Sequence, residues 1–237
     1  MAQFLLLHSP LVGPRTLSPL AVAMDRLGHS AAVPNLRPAF SVSGFSSTIL
    51  RTIVAQAVAE MPQPVPLVLA VHSGASAYLP VLAPHTDLAG QVLLDAVLPP
   101  SKGTFTPSWD FRSELDRLVE ADQRLPPWPQ WWGDEHLARV VPDPDLRAAI
   151  SRECPRVPIS FYDSVIDVPS DWALPWAGYL RLSEGYEPQA TLAGERGWPV
   201  RRRTGGHLDT ATQPDEVAAD LIDLVRPVLA TQTGPDQ

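Results

Sequence analysis

Short apolar runs alternate with amphipathic segments from the first residues of the chain, and this alternation is the strongest constraint on its fold. Residues 4–7 are Phe-Leu-Leu-Leu, a loop with Gly and Pro follows, and residues 17–27 repeat their apolar positions at helical spacing. A short, continuous apolar run is typical of a strand whose two faces are both buried in a sheet. Strands that alternate with helices predict parallel strands joined by right-handed crossovers.

The same alternation continues along most of the sequence. Strands are predicted at residues 4–7, 31–36, 67–71, 92–94, 178–182 and 199–202. Helices are predicted at residues 17–27, 46–59, 76–82 and 214–229, and residues 231–237 are expected to form a frayed tail. The fold class predicted from this order is α/β, with a three-layer, doubly wound and mostly parallel six-stranded sheet.

The alternation stops between residues 100 and 176, a segment rich in Pro and Trp. Helix-like patterns remain there at residues 111–123, 135–140 and 145–152. We therefore expect a single domain over residues 1–237, with an insertion at about residues 101–176 between the fourth and fifth strands.

Composition and charge argue against several function classes. The chain has 237 residues, 45% of them hydrophobic, so it can bury a sizeable core. The net charge is -8 and the only basic run is residues 201–203, which argues against nucleic-acid and anionic-membrane partners. Cys154 is the only cysteine, which excludes an internal disulfide and a multi-cysteine metal site. No apolar run approaches the roughly 20 residues of a membrane span, no signal peptide is recognised, and we expect a cytoplasmic protein.

Polar residues with catalytic potential follow the predicted strands. In parallel sheets the chemistry collects at the carboxyl ends of the strands. Ser73 follows the third strand and His207 follows the sixth, while Asp95 and Glu184 follow the fourth and fifth. A serine hydroxyl is a weak nucleophile that needs a neighbouring base, and histidine serves as that base near neutral pH. The strand ends therefore predict a serine, an acid and a histidine in one site, in that chain order.

These residues resemble the motifs of the α/β-hydrolase fold family over nearly the whole chain. The turn Val71-His72-Ser73-Gly74-Ala75 is similar to the family's nucleophile elbow, and the order Ser, acid, His matches the family. Gly206-His207, ahead of the last helix, resembles the histidine loop, and the insertion at 101–176 falls where the family carries a helical cap. The resemblance implies an esterase-like serine hydrolase with Ser73 as nucleophile and His207 as base, and without a metal or other cofactor.

The identity of the acid stays open between three residues. Glu184 is the first choice because it stands four residues before Pro188, which is the spacing that the resemblance implies. Glu187 and Asp95 are the alternatives, the latter because some relatives place the acid after the fourth strand. Ser76, one turn into the predicted helix, is a second candidate for the nucleophile.

Two residues depart from the family pattern. Val71 stands two residues before Ser73, where the elbow favours a small side chain. Pro10 lies in the segment Leu7-His8-Ser9-Pro10, where the family carries its oxyanion loop, and proline has no N–H to donate. The oxyanion donors are therefore expected to be the backbone N–H groups of Leu11 and Gly74.

The tryptophans of the insertion predict an apolar pocket above Ser73. Trp128, Trp131 and Trp132 lie among prolines and are expected to line it, while no basic cluster suggests a site for phosphate or carboxylate. The expected function is hydrolysis of an ester or related acyl bond in a small, fairly apolar molecule. The alternatives are a non-enzymatic ligand-binding protein and a non-hydrolytic enzyme on the same fold. The oligomeric state stays open.

Overall fold

The computed structural model describes residues 1–41, 44–62, 65–173 and 175–232. Its strands are β1 Gln3–Leu7, β2 Ser30–Ala32, β3 Leu67–His72, β4 Gly90–Leu94, β5 Gly103–Phe105, β6 Ile166–Val168, β7 Ala177–Ser183 and β8 Val200–Gly205. The central sheet has six strands in the order β2-β1-β3-β4-β7-β8, and each neighbouring pair is parallel. This confirms the predicted α/β class and the six-stranded sheet.

Helices cover both faces of this sheet. The α-helices in the described ranges, those of the insertion included, are α1 Ser18–Arg26, α2 Ser47–Ala59, α3 Leu79–Leu82, α4 Trp109–Leu118, α5 Asp134–Val140, α6 Pro144–Glu153, α7 Glu187–Glu195, α8 Asp209–Thr212 and α9 Pro214–Gln232. The start of α2 is fixed by Ser46, whose side chain accepts a hydrogen bond from the Ile49 N–H at 3.3 Å. Of the tail expected to fray, residues 233–237 lie outside the described residues.

Successive residues of each central strand belong to two different cores. In β1, Leu5 and Leu7 pack into the layer that includes α2 and α3, whereas Phe4 and Leu6 pack into the layer that includes α1 and α9. All four side chains are fully buried. The continuous apolar run at the start of the sequence therefore arises because this strand lies between two layers of helices.

The strand order places the loops after β1 and β3 side by side. The strand β1 pairs with β2 on one side and with β3 on the other, so the chain changes its direction of travel across the sheet between them. Loops on the two sides of such a switch point diverge and leave a crevice at the carboxyl edge of the sheet. Ser73 and the segment that begins at His8 lie at this crevice.

Residues 101–176, which we call the cap, combine helices with a small ribbon. They contain α4, α5 and α6, and β5 pairs antiparallel with β6. The ribbon was not predicted, since its strands have three residues each and are about 60 positions apart in the chain. The helix α4 also ends at Leu118 rather than at residue 123, because Val119 is extended and Gln123 has a φ of 61°.

None of the helices in the described ranges has both the length and the apolar character that crossing a membrane requires.

Candidate active site

Ser73 occupies a strained turn directly after β3. His72 still has extended backbone angles, whereas Ser73 has a φ of 58° and opens a 3₁₀ turn that leads into α3. A non-glycine residue in this left-handed region is uncommon and costs about 1–3 kcal/mol, so such strain concentrates at functional turns. The geometry is that of a nucleophile elbow, in which a serine is exposed between a strand and a helix.

His207 and Asp95 form a pair at the same edge of the sheet. The Asp95 Oδ2 lies 3.1 Å from the His207 Nδ1. Because a carboxylate accepts hydrogen bonds, this contact assigns the proton of the neutral imidazole to Nδ1 and leaves the Nε2 lone pair free. His207 and Ser73 line one cavity. An imidazole held in this tautomer can accept a proton from a serine hydroxyl.

The Asp95 carboxylate is buried, and strand β7 holds it in place. Asp95 follows β4 with a φ of 42°, and its side chain accepts hydrogen bonds from the Leu182 N–H at 2.6 Å and the Ser183 N–H at 3.0 Å. The Ser183 hydroxyl donates a further bond. Burial alone would raise the pKa of Asp95, but the hydrogen bonds from His207 and Ser183 outweigh it and hold that pKa below its usual value.

This arrangement corrects the expected identity of the acid. Glu184, the first choice from the sequence, begins a short 3₁₀ turn after β7 and is exposed to solvent. Glu187 pairs with Arg202 at 2.9 Å and with Arg181 at 3.2 Å, so its carboxylate is engaged away from His207. The alternative that the sequence left third, Asp95, is the one that contacts the imidazole, because Ser183 and Leu182 turn their donors toward β4 before the chain reaches Glu184.

Tyr186 contacts both Ser73 and His207, a role that the sequence analysis did not foresee. Its ring stacks on the imidazole of His207 with centroids 5.0 Å apart and planes 2° from parallel. Its hydroxyl lies near the Ser73 side chain, and burial raises the pKa of Tyr186. The only sequence signal was an aromatic residue three positions after the end of a central strand.

Two buried histidines hold the loops of the site. The His72 Nε2–H donates to the carbonyl oxygen of His207 at 2.8 Å, and the two rings lie 4.6 Å apart. The His8 Nε2 accepts from the Leu36 N–H at 3.0 Å, and its Nδ1 lies 2.9 Å from the Ser9 carbonyl oxygen. Burial lowers the pKa of His72 to about 3 and that of His8 to about 4, so both rings are neutral at physiological pH.

The expected oxyanion loop lies against the elbow. A Cβ added to Gly74 would meet both the Pro10 Cδ and the Ser9 Oγ at 3.2 Å. Gly74 is the second residue of its turn, so its N–H has no acceptor within that turn. The Leu11 N–H, expected to be the other donor, is directed to the Ser9 Oγ at 3.5 Å. This departs from the expectation, since the Leu11 N–H already has an acceptor within its own loop.

A cavity of about 640 Å³ lies between the elbow and the cap. Its wall includes the three tryptophans that the sequence singled out, Trp128, Trp131 and Trp132. The Trp131 Nε1–H donates to the Pro126 carbonyl oxygen at 2.8 Å, which satisfies its polar atom and leaves the ring as apolar surface. Trp132 is 57% exposed and lies where the wall meets solvent.

The wall of this cavity is neutral apart from its two histidines, His136 and His207, where it is described. No lysine, arginine, aspartate or glutamate belongs to the described residues of its wall. Within the described ranges, the structure also brings together no group of three or more His, Cys, Asp or Glu side chains that could hold a metal ion. Ser73 and His207 bring a hydroxyl and an imidazole to this wall, and the imidazole contacts the Asp95 carboxylate.

Comparison with known proteins gives no relative by sequence and several by structure. No family model matches the chain, and the search of curated proteins found no match. An extracellular α/β-hydrolase from a Paenibacillus species, reported to share structural and functional homology with tobacco salicylic acid binding protein 2, is 17% identical, with 94% of this chain and 99% of that one covered at a TM-score of 0.73.

Two further solved structures agree with this match. A pyrethroid hydrolase from Sphingobium faniae is 15% identical, with 95% of this chain and 97% of that one covered at a TM-score of 0.69. Polyneuridine aldehyde esterase is 16% identical, with 94% and 98% covered at a TM-score of 0.68. Identities this low establish the fold alone, and the likeness extends over nearly the whole of each chain. Together with the parallel sheet and the serine turn after β3, the comparisons confirm that this chain has the α/β-hydrolase fold.

Proposed function

We propose that this protein is a serine hydrolase that cleaves the ester bond of small, fairly apolar and uncharged molecules. The observation that carries the proposal is the strained turn of Ser73, which lines one aromatic-walled cavity together with His207, the imidazole that contacts the buried Asp95. The solved structures with the same fold include proteins named as a pyrethroid hydrolase, a methylesterase and polyneuridine aldehyde esterase, which is consistent with this class of reaction.

In the first half of the proposed reaction Ser73 becomes acylated. The Ser73 Oγ attacks the ester carbonyl carbon while the His207 Nε2 takes the hydroxyl proton. The negative charge then rests on the former carbonyl oxygen, and Asp95 stabilises the imidazolium without becoming protonated. As the carbon–oxygen bond to the leaving group breaks, His207 returns the proton to that oxygen and an alcohol departs.

In the second half water regenerates the enzyme. A water molecule gives its proton to the His207 Nε2 and attacks the acyl carbon. When the bond to the Ser73 Oγ breaks, His207 protonates that oxygen, and the carboxylic acid leaves. One ester and one water are consumed, and one acid and one alcohol are formed.

The character of the cavity supports neutral and apolar substrates. Aromatic side chains from the cap face the region above Ser73, and the described wall carries no fixed charge. Burying an anionic group against such a wall without a cationic partner is costly. We therefore expect uncharged acyl esters to react faster than phosphorylated or CoA-linked ones.

The experiment that tests the proposal combines turnover with covalent labelling. Wild type, Ser73→Ala and Ser76→Ala are assayed on a panel of acyl esters and lactones and are treated with a fluorophosphonate probe. Ser76 is the matched control, because it is a serine of the same turn that is buried and has no hydrogen-bond partner in the described structure. Turnover and labelling are expected in wild type and in Ser76→Ala and to be lost in Ser73→Ala. Ester turnover that survives in folded Ser73→Ala would refute the serine mechanism.

One observation favours a second candidate, a ligand-binding protein without turnover. Pro10 offers no N–H to an oxyanion, because its ring replaces the amide hydrogen. If this candidate is correct, an apolar ester binds in the cavity with the same affinity in wild type and in Ser73→Ala, and the fluorophosphonate labels neither protein.

A further inference from the structure

The elbow is close to a residue that cannot serve as a backbone donor. The ring of Pro10 replaces the amide hydrogen, and its Cδ lies 3.2 Å from the point where a Gly74 side chain would begin. Any other residue at position 10 would carry an amide hydrogen on its backbone nitrogen, whereas Pro10 carries the Cδ methylene group there. An oxyanion formed on Ser73 would receive one backbone hydrogen bond, from Gly74, and needs a second donor.

The Ser9 hydroxyl lies against the elbow, as the Pro10 ring does. Its Oγ is also 3.2 Å from the point where a Gly74 Cβ would lie, and Ser9 belongs to the wall of the cavity that holds Ser73. Ser9 is 6% exposed, so its side chain has little freedom to turn into bulk solvent. The hydroxyl is thus beside the elbow and faces the reaction space.

The hydrogen bonds of this loop leave the Ser9 proton available. The Leu11 N–H is directed to the Ser9 Oγ, which acts there as acceptor. Within the described part of the chain, no acceptor receives the Ser9 O–H. A hydroxyl that accepts from a backbone N–H becomes a better donor, because hydrogen bonds in a chain polarise one another.

We propose that Ser9 is a catalytic residue whose side-chain hydroxyl donates the second hydrogen bond of the oxyanion hole, in place of the N–H that Pro10 lacks. The Leu11 N–H supports this donor from behind, and the Gly74 N–H is the other donor. Ser9 forms no covalent bond and keeps its proton throughout, since it donates a hydrogen bond while the negative charge exists on the substrate oxygen. The inference rests on the proposed ester hydrolysis at Ser73.

The first test removes the hydroxyl. Ser9→Ala is expected to lower kcat on a neutral ester by about 10²–10³, the effect of losing one oxyanion donor elsewhere, with little change in KM. It should weaken inhibition by a trifluoromethyl ketone, which forms an anionic adduct on Ser73, by a similar factor. It should leave the affinity for an uncharged, unreactive ester analogue unchanged.

The second test restores the backbone donor. Pro10→Ala returns an N–H at the position beside the elbow, so it should recover at least tenfold of the activity lost in Ser9→Ala. Removal of the Ser9 hydroxyl should lower kcat by a much smaller factor in Pro10→Ala than in wild type. An equal cost in both backgrounds would overturn the assignment.

Further variants separate chemistry from loop structure. Ser9→Thr keeps a hydroxyl and should retain most activity, whereas Ser9→Cys keeps the volume but is a weak donor and should behave like Ser9→Ala. Melting temperatures show whether each variant is folded. If Ser9→Ala weakens the binding of the trifluoromethyl ketone and of the uncharged analogue by the same factor, the role of Ser9 is structural and the proposal is overturned.

Tyr186 is the competing hydroxyl at this site. Tyr186→Phe removes it while leaving a ring to stack on His207. If that variant loses affinity for the trifluoromethyl ketone and Ser9→Ala does not, the donor is Tyr186 and the proposal fails. Such a failure leaves the Ser73-dependent turnover of wild type intact, whereas failure of the proposed function appears as wild type without turnover or labelling.

Discussion

At the scale of single residues, hydrogen bonds determine which carboxylate contacts the His207 imidazole. Asp95 is buried and accepts donors from Leu182, Ser183 and His207, whereas Glu184 is exposed. A buried carboxylate with several donors keeps its charge and its orientation. That combination suits a group that must fix the tautomer of an imidazole.

Asp95→Asn should lower kcat by about 10⁴, because an amide can leave the imidazole in the wrong tautomer. Glu184→Gln is the matched control and should stay within about threefold of wild type, since its carboxylate is exposed. The measurement is kcat/KM on one neutral ester for both variants. A larger loss in Glu184→Gln than in Asp95→Asn would restore the acid that the sequence favoured.

The sequence could predict part of this site. Ser73 stands directly after a strand with a clear apolar pattern and His207 lies in the loop after the last strand, and position after a strand is visible without a structure. The contact of Asp95 with His207 depends on the φ of 42° at Asp95 and on β4 lying beside β7, and no local sequence pattern indicates either feature. The contact of Tyr186 with Ser73 depends on the same three-dimensional arrangement.

At the scale of elements, the cap sets the shape of the cavity and the elbow sets its floor. The prolines around Trp131 restrict the backbone, and the Trp131 Nε1–H is fixed on Pro126. A ring held in this way provides rigid apolar surface for a substrate. The helices of the cap follow apolar periodicity, and α5 and α6 were located to within one residue, whereas the end of α4 was predicted five residues too late and the β5–β6 ribbon joins distant segments that carry no periodic signal.

Trp131→Ala should change KM or substrate preference more than kcat, because the ring contacts the cavity and not the reacting atoms. Trp109 provides the matched control, since it is also a cap tryptophan but is 81% exposed and lies outside the cavity wall. Kinetics on a short and a long acyl ester are compared for both variants. Selectivity unchanged by Trp131→Ala would leave the cap tryptophans as structural elements only.

Gly74→Ala should lower kcat by at least tenfold with only a small loss of stability. The added Cβ would approach the Ser9 Oγ and the Pro10 Cδ to 3.2 Å, so the elbow and the loop after β1 must separate by a few tenths of an ångström. Small displacements of hydrogen-bond donors in a preorganised site lower the reaction rate strongly. Gly185→Ala, whose Cβ would meet nothing within 4 Å, is the control. Equal activity of the two variants would contradict the close contact.

At the scale of the whole molecule, charges are paired along the surface and neutral histidines lie inside. The basic run 201–203 on β8 is balanced by acids, with Arg203 on Asp220 at 2.7 Å and Arg202 on Glu187 at 2.9 Å. Its cations therefore have intramolecular partners. The interior histidines have the larger consequence for stability.

The free energy of unfolding should fall by about 3 kcal/mol between pH 7.5 and 5.5, because His8 and His72 are neutral when folded and ionise when unfolded. Their pKa values are lowered by burial to about 4 and about 3, so in this window the unfolded chain binds more protons than the folded one. Stability is therefore full above about pH 6.5 and is lost as the pH falls toward 4.

Urea unfolding at pH 7.5, 6.5 and 5.5 measures this dependence. His8→Gln should roughly halve it, although that variant starts from a lower stability, and the exposed His85 gives a control variant, His85→Gln, that keeps the full dependence. Equal stability of wild type at pH 7.5 and 5.5 would show that the two rings are not buried in neutral form.

The hydrogen bonds of Asp95 also determine when the protein can become active during its synthesis. Asp95 leaves the ribosome 87 residues before Leu182 and 112 residues before His207. The carboxylate has neither its donors nor its imidazole until β7 and the loop after β8 have joined the sheet. A nascent chain released before that point would lack His207 and the donors of Asp95, so the proposed activity requires the last quarter of the chain.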